Sequence, residues 1–217
     1  MERSEIEAVL KVQQDYFSTG ATLPVAARKD ALRKLRHALE TCEKLLTDAL
    51  EQDLGKNPQE SYMCEIGLAK SEITYLLHHI DRFAREHRVH TPLVQHISRS
   101  FVKPVPYGTA LIMSPWNYPV LLALDPLADA LAAGNTVVLK PSAYAPASSG
   151  ALEKMIGECF PPEHVKVITG GRAENSCLLD CKFDTIFFTG SKAVGKEVMR
   201  KASEHLIPVT LELGGKS

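Results

Sequence analysis

Four short segments hold the residue types most capable of chemistry: Met113-Ser114-Pro115-Trp116-Asn117-Tyr118-Pro119, Lys140-Pro141-Ser142, Gly190-Ser191 and Glu212-Leu213-Gly214-Gly215. Lys140 follows the apolar residues Val137 to Leu139, where a solvated-surface explanation is strained, and its ammonium is suited to binding ribose hydroxyls. Asn117 can either cap a helix starting at Pro119 or donate its amide N–H to a ligand. Gly190 to Gly195 lacks the G-x-G-x-x-G pattern, so it reads either as a plain strand-to-helix connection or as a diphosphate cradle. The second reading draws on a small residue, a hydroxyl and free backbone N–H groups at a positive helix end. Glu212 stands in the otherwise apolar run Val209 to Leu213, which predicts a buried carboxylate of the kind suited to general-base work. The glycines that follow allow a ligand close to the backbone.

Other reactive side chains form no comparable group. Cys42, Cys64, Cys159, Cys177 and Cys181 are scattered and odd in number, as reduced thiols are rather than a disulfide framework. Cys177 and Cys181 have three residues between them where zinc motifs usually have two, which favours a structural reading of the pair. The histidines, among them His78, His79, His87, His90 and His96, show no ligand spacing and read as helix-surface residues.

The elements that must position the four segments follow from periodicity. Residues 1–89 read as three helices. Ser4 and Glu7 have capping-box spacing, Thr22 precedes Leu23-Pro24, and Asn57 precedes Pro58. Gly55 is placed to end the second helix with a positive φ. In the third, Tyr62, Ile66, Ala69, Ile73, Leu76, Ile80 and Phe83 form one apolar stripe that must pack on the domain that follows. Residues 90–108 lose the helical period and read as a connector or edge hairpin. From Thr109 onward strands and helices alternate. Strands are expected over Thr109 to Met113, Thr136 to Lys140, Val165 to Thr169, Thr185 to Thr189 and Pro208 to Leu213. Helices are expected over Val120 to Ala133, Ala147 to Cys159 and Lys192 to Ser203, with a shorter one before Thr185. The fold class is therefore α/β: a doubly wound, Rossmann-like parallel sheet of five strands, preceded by helices. Each chemically capable segment then begins at or follows the carboxyl end of a strand, where such sheets open a crevice.

Composition narrows the partners. The chain has 217 residues, 45% hydrophobic, with 25 Lys and Arg against 26 Asp and Glu. That balance offers no basic surface for nucleic acid or an anionic membrane. The most apolar stretch, Pro119 to Gly134, is broken by Asp125, Pro126 and Asp129 and reads as a core helix, not a membrane span. The acidic opening is unlike a secretory signal, so a cytoplasmic location is expected.

Pro115-Trp116-Asn117-Tyr118-Pro119, Gly134-Asn135-Thr136-Val137-Val138-Leu139-Lys140-Pro141-Ser142, Phe188-Thr189-Gly190-Ser191 with Gly195, and Leu211-Glu212-Leu213-Gly214-Gly215-Lys216 resemble, in order and spacing, the successive signature motifs of the aldehyde dehydrogenase superfamily. The resemblance covers nearly the whole chain, and the short helical start looks most like the class 3, fatty-aldehyde branch. It implies NAD or NADP as cofactor and an aldehyde as substrate. By resemblance, Asn117 donates to the oxygen of the substrate carbonyl and Glu212 activates the hydrolytic water. Met113, Ser114, Pro115, Trp116, Lys140 and Ser142 would line the cofactor site. Gly190 and Ser191 would lie beside its phosphates, Val194 against the adenine, and Leu213 and Gly214 on the nicotinamide side. Many members carry Glu at the position of Ala143, where it accepts from the ribose 2′-hydroxyl and repels a 2′-phosphate. Ala143 removes that objection, so relaxed cofactor use is expected.

The family's reaction needs a thiolate nucleophile. None of the five cysteines has the matching context, and the resemblance puts that residue beyond Ser217. The chain alone is therefore expected to be inactive, and the parent enzyme to be a homodimer that also carries a catalytic domain. The alternative is a catalytically silent nucleotide-binding module, or a fragment that complements a separate chain.

Overall fold

The computed structural model of the chain describes residues 1–215, so Lys216, with which the fourth segment ends, lies outside the described residues. Helices α1 (Arg3–Ser18), α2 (Val25–Thr41) and α3 (Glu43–Leu54) come first, then a single turn α4 (Pro58–Ser61) that runs through a π-helical turn, Tyr62–Ile66, into α5 (Gly67–Phe83). A two-stranded antiparallel hairpin, β1 (His87–Val89) and β2 (Ser100–Val102), precedes the alternating region. That region runs β3 (Thr109–Met113), α6 (Leu121–Ala133), β4 (Thr136–Lys140), α7 (Pro146–Cys159), β5 (Val165–Val167), α8 (Arg172–Leu179), β6 (Thr185–Gly190), α9 (Lys192–Ser203) and β7 (Val209–Leu213). The five strands β3 to β7 are parallel and lie in the order β5-β4-β3-β6-β7.

Alternation along each strand divides the core into two layers. Ile112, Val137, Leu139, Val165 and Val167 pack with the buried faces of α2, α3, α5, α6 and α7. Leu111, Met113, Val138, Ile186 and Phe188 pack with α1, α8 and α9, through Ile6, Leu10, Leu178, Leu179 and Val198. Both faces of the sheet are thus covered, which is why β3 and β4 read as continuous apolar runs. Ile112 and Leu139 are each at most 1% exposed. Burial of such a side chain stabilises the fold by about 1.5–3 kcal/mol.

The predicted stripe on α5 packs against α6, with Ile66, Ala69, Ile73, Leu76 and Ile80 buried, while Tyr62 and Phe83 at its ends stay exposed. Several start signals act differently from their sequence reading. At α1 it is Glu5, not Glu7, whose carboxylate accepts from a backbone N–H, that of Glu2 (2.7 Å). Thr22 caps no helix; its hydroxyl donates to the carbonyl of Gly134 (2.7 Å), tying the α1–α2 loop to the end of α6. The second predicted helix is two, broken at Cys42, where the backbone leaves helical values (φ −98°, ψ 10°). Gly55 does end α3 in the left-handed region (φ 68°), and Asn57 Oδ1 does accept from Glu60 N–H (2.9 Å).

Two helices of the alternating region take their caps from the N-terminal part of the chain. Asp53, at the end of α3, accepts from the N–H groups of Ala147 (3.1 Å) and Ser148 (2.7 Å) at the start of α7. Glu65, in the π-helical turn, accepts from those of Val120 (2.8 Å) and Leu121 (3.1 Å) at the start of α6. Carboxylates at these positions satisfy orphan donors and favour the helix dipole at once. His164 departs from the helix-surface reading: it lies before β5, between Tyr16 and Phe160, and burial lowers its pKa to about 4. Among the described residues no helix is long and apolar enough to cross a membrane.

Candidate functional site

From central β3 the chain crosses to β4 on one side, and from its neighbour β6 it crosses to β7 on the other. The loops leaving β3 and β6 therefore diverge, and a crevice opens between them at the carboxyl ends of the strands. A cleft of about 360 Å³ there is lined by Met113, Ser114, Pro115 and Trp116 after β3, and by Lys140, Ser142 and Ala143 after β4. Gly190, Ser191 and Val194, at the β6–α9 junction, close it. A second cleft of about 570 Å³ adjoins it, sharing Pro115, Trp116, Gly190 and Ser191, and adds Asn117, Glu212, Leu213 and Gly214. Residues from all four segments thus share one crevice, while Tyr118, Pro119 and Gly215 line neither cleft.

Lys140 is 3% exposed, and its Nζ donates to the carbonyls of Pro141 (2.8 Å) and Gly170 (2.7 Å). An ammonium has three protons, so one donor remains. Burial brings its pKa down to about 8, against the opposing pull of the Glu174 carboxylate. Ser114 Oγ and Asn175 Oδ1, both in the first cleft, are buried without a hydrogen-bond partner. Orphaned polar atoms of this kind cost about 1–3 kcal/mol each. Ser191 caps α9, its Oγ accepting from Val194 N–H (3.4 Å). The remaining N–H groups of that first turn are left free at the positive helix end.

In the second cleft two expectations change. Asn117 is exposed and caps nothing, because Glu65 fills the cap of α6; its carbonyl accepts from Lys56 Nζ (3.2 Å). Glu212 is exposed too, contrary to the buried carboxylate read from its apolar run. Val209 and Leu211 turn toward the core packed with α9, whereas Thr210 and Glu212 alternate to the opposite, exposed face of β7.

None of the five cysteines lines either cleft. Burial raises the Cys159 thiol to about 12 and the Cys181 thiol to about 11, the reverse of an activated nucleophile. Cys181 Sγ donates to the carbonyl of Cys177 within the turn after α8.

Sequence reasoning passed over Tyr144, Arg172 and Asn175, which line the first cleft, and the pair Lys56 and Glu65 beneath Asn117. Glu65 did carry a signal. It falls at helical steps from Tyr62 and Ala69, so a carboxylate stands on the apolar stripe and requires a partner. Arg172 and Asn175 carried none, since only the β5–α8 crossover brings them to the crevice.

Comparison with known proteins agrees with this geometry. The model of the "Aldehyde dehydrogenase family" matches residues 1–217. The 4,4'-diaponeurosporen-aldehyde dehydrogenase of Staphylococcus aureus is 42% identical over 202 residues, covering 93% of this chain and 44% of its own length. Aldehyde dehydrogenase family 3 member B1 of Homo sapiens is 42% identical over 213 residues, covering 96% and 44%. Among solved structures, substrate-bound Staphylococcus aureus AldH superposes with a TM-score of 0.95 at 41% identity, covering 98% of this chain and 46% of its own. The Mycobacterium tuberculosis aldehyde dehydrogenase complexed with NAD+ superposes at 0.88 with 30% identity, covering 99% and 44%. The chain therefore spans less than half the length of the relatives it matches. With its four strand-end segments meeting at one switch-point crevice and a family model matched from end to end, this chain belongs to the aldehyde dehydrogenase family.

Proposed function

We propose that this chain is the cofactor-binding part of an enzyme that oxidises an aldehyde to a carboxylic acid with NAD or NADP. The observation that carries the reading is the convergence of the four segments on one crevice, with a buried lysine in its lining. Lys140 and Ser142 hold the ribose of the adenosine half, Gly190, Ser191 and the first turn of α9 the diphosphate, and Val194 the adenine. Met113, Ser114, Pro115 and Trp116 wall the first cleft, and Leu213 and Gly214 support the nicotinamide end. Bound there, the nicotinamide supplies the hydride acceptor that aldehyde oxidation requires.

The Asn117 amide donates to the aldehyde oxygen and stabilises the charge that develops on it, an effect worth on the order of 3 kcal/mol of barrier. The Glu212 carboxylate accepts a proton from the water that releases the acid product. The nucleophilic thiol is none of the five cysteines, as their distance from the crevice and the raised thiols of Cys159 and Cys181 argue. The purified chain alone is therefore inactive. Exposed Leu93, Val94 and Ile97 between the hairpin strands support a homodimeric parent, and the five free cysteines a cytoplasmic one.

Ala143 presents no carboxylate, and Arg172 lines the same cleft, so a ribose 2′-phosphate meets a cation and no like charge. Calorimetric titration with NAD and NADP tests the reading. Both bind the parent chain, and Ala143→Glu weakens NADP about tenfold or more while sparing NAD, since one unfavourable charge contact of ~1.4 kcal/mol is a factor of ten. A folded chain that binds neither nucleotide refutes the assignment of the crevice.

A further inference from the structure

We infer that Lys56 and Glu65 are positioning residues that hold Asn117 in place from beneath. The inference rests on the reading of Asn117 as the oxyanion donor and adds residues outside all four motif segments. Lys56 Nζ donates to Glu65 Oε1 (2.5 Å) and to the carbonyl of Asn117 (3.2 Å), and lies 4.1 Å from the centre of the Tyr118 ring. The other oxygen of Glu65 accepts from the N–H groups of Val120 and Leu121. One ion pair therefore grips the segment 117–121 at its first carbonyl, its aromatic ring and its last two amides. The Glu65 side chain is fully buried and that of Lys56 is 10% exposed, so the pair is shielded from competition by water.

The grip explains how an exposed loop keeps a defined course. The Asn117 side chain lines an open cleft with no hydrogen bond of its own among the described residues, and a loop in that position is ordinarily mobile. An oxyanion donor acts only when it is held where charge develops, because reorganisation during the reaction forfeits its effect. Here the order is supplied by Lys56, between α3 and α4, and by Glu65 in the π-helical turn before α5.

The local backbone is adapted to the task. Glu65 belongs to the π-helical turn Tyr62–Ile66, where an extra residue shifts the register of the helix. The turn closes with Gly67 N–H donating to the Tyr62 carbonyl, and a Cβ on Gly67 would lie 2.8 Å from that oxygen. The turn thus requires a glycine, and Gly67 supplies it directly after the carboxylate-bearing segment.

The test is nuclear magnetic relaxation on the 217-residue chain without aldehyde or cofactor, comparing Lys56→Met, Glu65→Gln and Lys56→Arg with the parent. Trp116 is the sole tryptophan, so its indole N–H is an unambiguous probe of the loop, and the Asn117 side-chain amide is a second. In Lys56→Met and Glu65→Gln the order parameters of these groups and of the backbone amides of Asn117, Tyr118 and Val120 fall from about 0.85 to below about 0.6, while β3 and β4 stay rigid. Lys56→Arg, which keeps the charge and a donor, retains the parent values. A folded Lys56→Met whose Trp116 and Asn117 signals match the parent overturns the inference, and so does loosening spread evenly over the sheet. Should Glu65→Gln fail to fold, Lys56→Met at the rim of the pair decides alone. Failure of the cofactor reading would appear separately, as a parent chain that does not bind NAD.

Discussion

The buried ammonium of Lys140 makes cofactor affinity depend on pH in a direction that can be worked out. Its pKa is lowered from 10.5 to about 8, chiefly by desolvation. Two of its protons are committed to the carbonyls of Pro141 and Gly170, which leaves a third on a residue that lines the cleft. If the charged form binds the cofactor, the dissociation constant scales with the reciprocal of the protonated fraction. That fraction falls from ~0.9 at pH 7 to ~0.1 at pH 9 for a pKa near 8, so binding weakens roughly tenfold over the interval. Loss of fold does not compete as an explanation. The folded-state pKa lies below the unfolded one, so between about pH 8 and 10.5 the unfolded chain binds more protons and Lys140 makes stability rise with pH. Calorimetric titration of NAD at pH 7, 8 and 9 gives the slope, with Lys140→Met as the reference. The variant binds more weakly at pH 7, by about 1.5–3 kcal/mol for a lost charged hydrogen bond, and shows no such slope. Equal affinity of the parent at pH 7 and 9, with Lys140 shown by nuclear resonance to titrate near 8, would refute contact between the ammonium and the cofactor.

Two further substitutions probe the frame around the crevice. Asp125 in α6 has a carboxyl oxygen without a partner, and desolvation, with Glu72 and then Asp129 adding repulsion, raises its pKa from 3.8 to about 7. The proton it holds in the folded state favours the fold at low pH, and that contribution is lost as pH rises through about 7. Asp125→Asn therefore stabilises the chain more at pH 8 than at pH 5, since the loss begins above the unfolded pKa of 3.8 and is complete only above about 7. The full shift corresponds to about 4 kcal/mol, and partial exposure reduces the expected gain to about 1–2 kcal/mol in denaturant unfolding. A gain of equal size at both pH values would contradict the assignment. Asp53→Ala removes the cap of α7 and lowers stability by about 1–2 kcal/mol without altering the crevice directly. Unchanged chemical denaturation of this variant would show that solvent replaces the cap at no cost.

Much of the fold was legible because local patterns and the tertiary arrangement agree. β3 and β4 begin and end where their apolar runs do, and α9 occupies the range its periodicity predicts, since both sheet faces must be covered by apolar surface. Start signals were read less well. Thr22 has the type of a cap, yet its hydroxyl is used 112 residues away on Gly134, a contact that no local window contains. The break at Cys42 was illegible for the same reason, since the helical pattern runs through it.

The candidate site divides along the same line. By itself the sequence determined which residue types stand at strand ends, and parallel connectivity suffices to send those ends to one edge of the sheet. Tertiary structure alone decided how deeply each is buried and what it touches. Glu212 looked buried because its neighbours in the chain are apolar, but α9 packs on the face of β7 that carries Val209 and Leu211, and Glu212 lies on the opposite, exposed face. Lys140 looked chemically unusual for the same kind of reason, and it is buried because β4 is flanked on both sides. Glu65 joins α6 only because α5 packs against it, and with Lys56 it holds a loop more than 50 residues away. Local sequence can specify periodicity and backbone preference, whereas burial, and the hydrogen bonds that burial makes obligatory, are properties of which elements become neighbours.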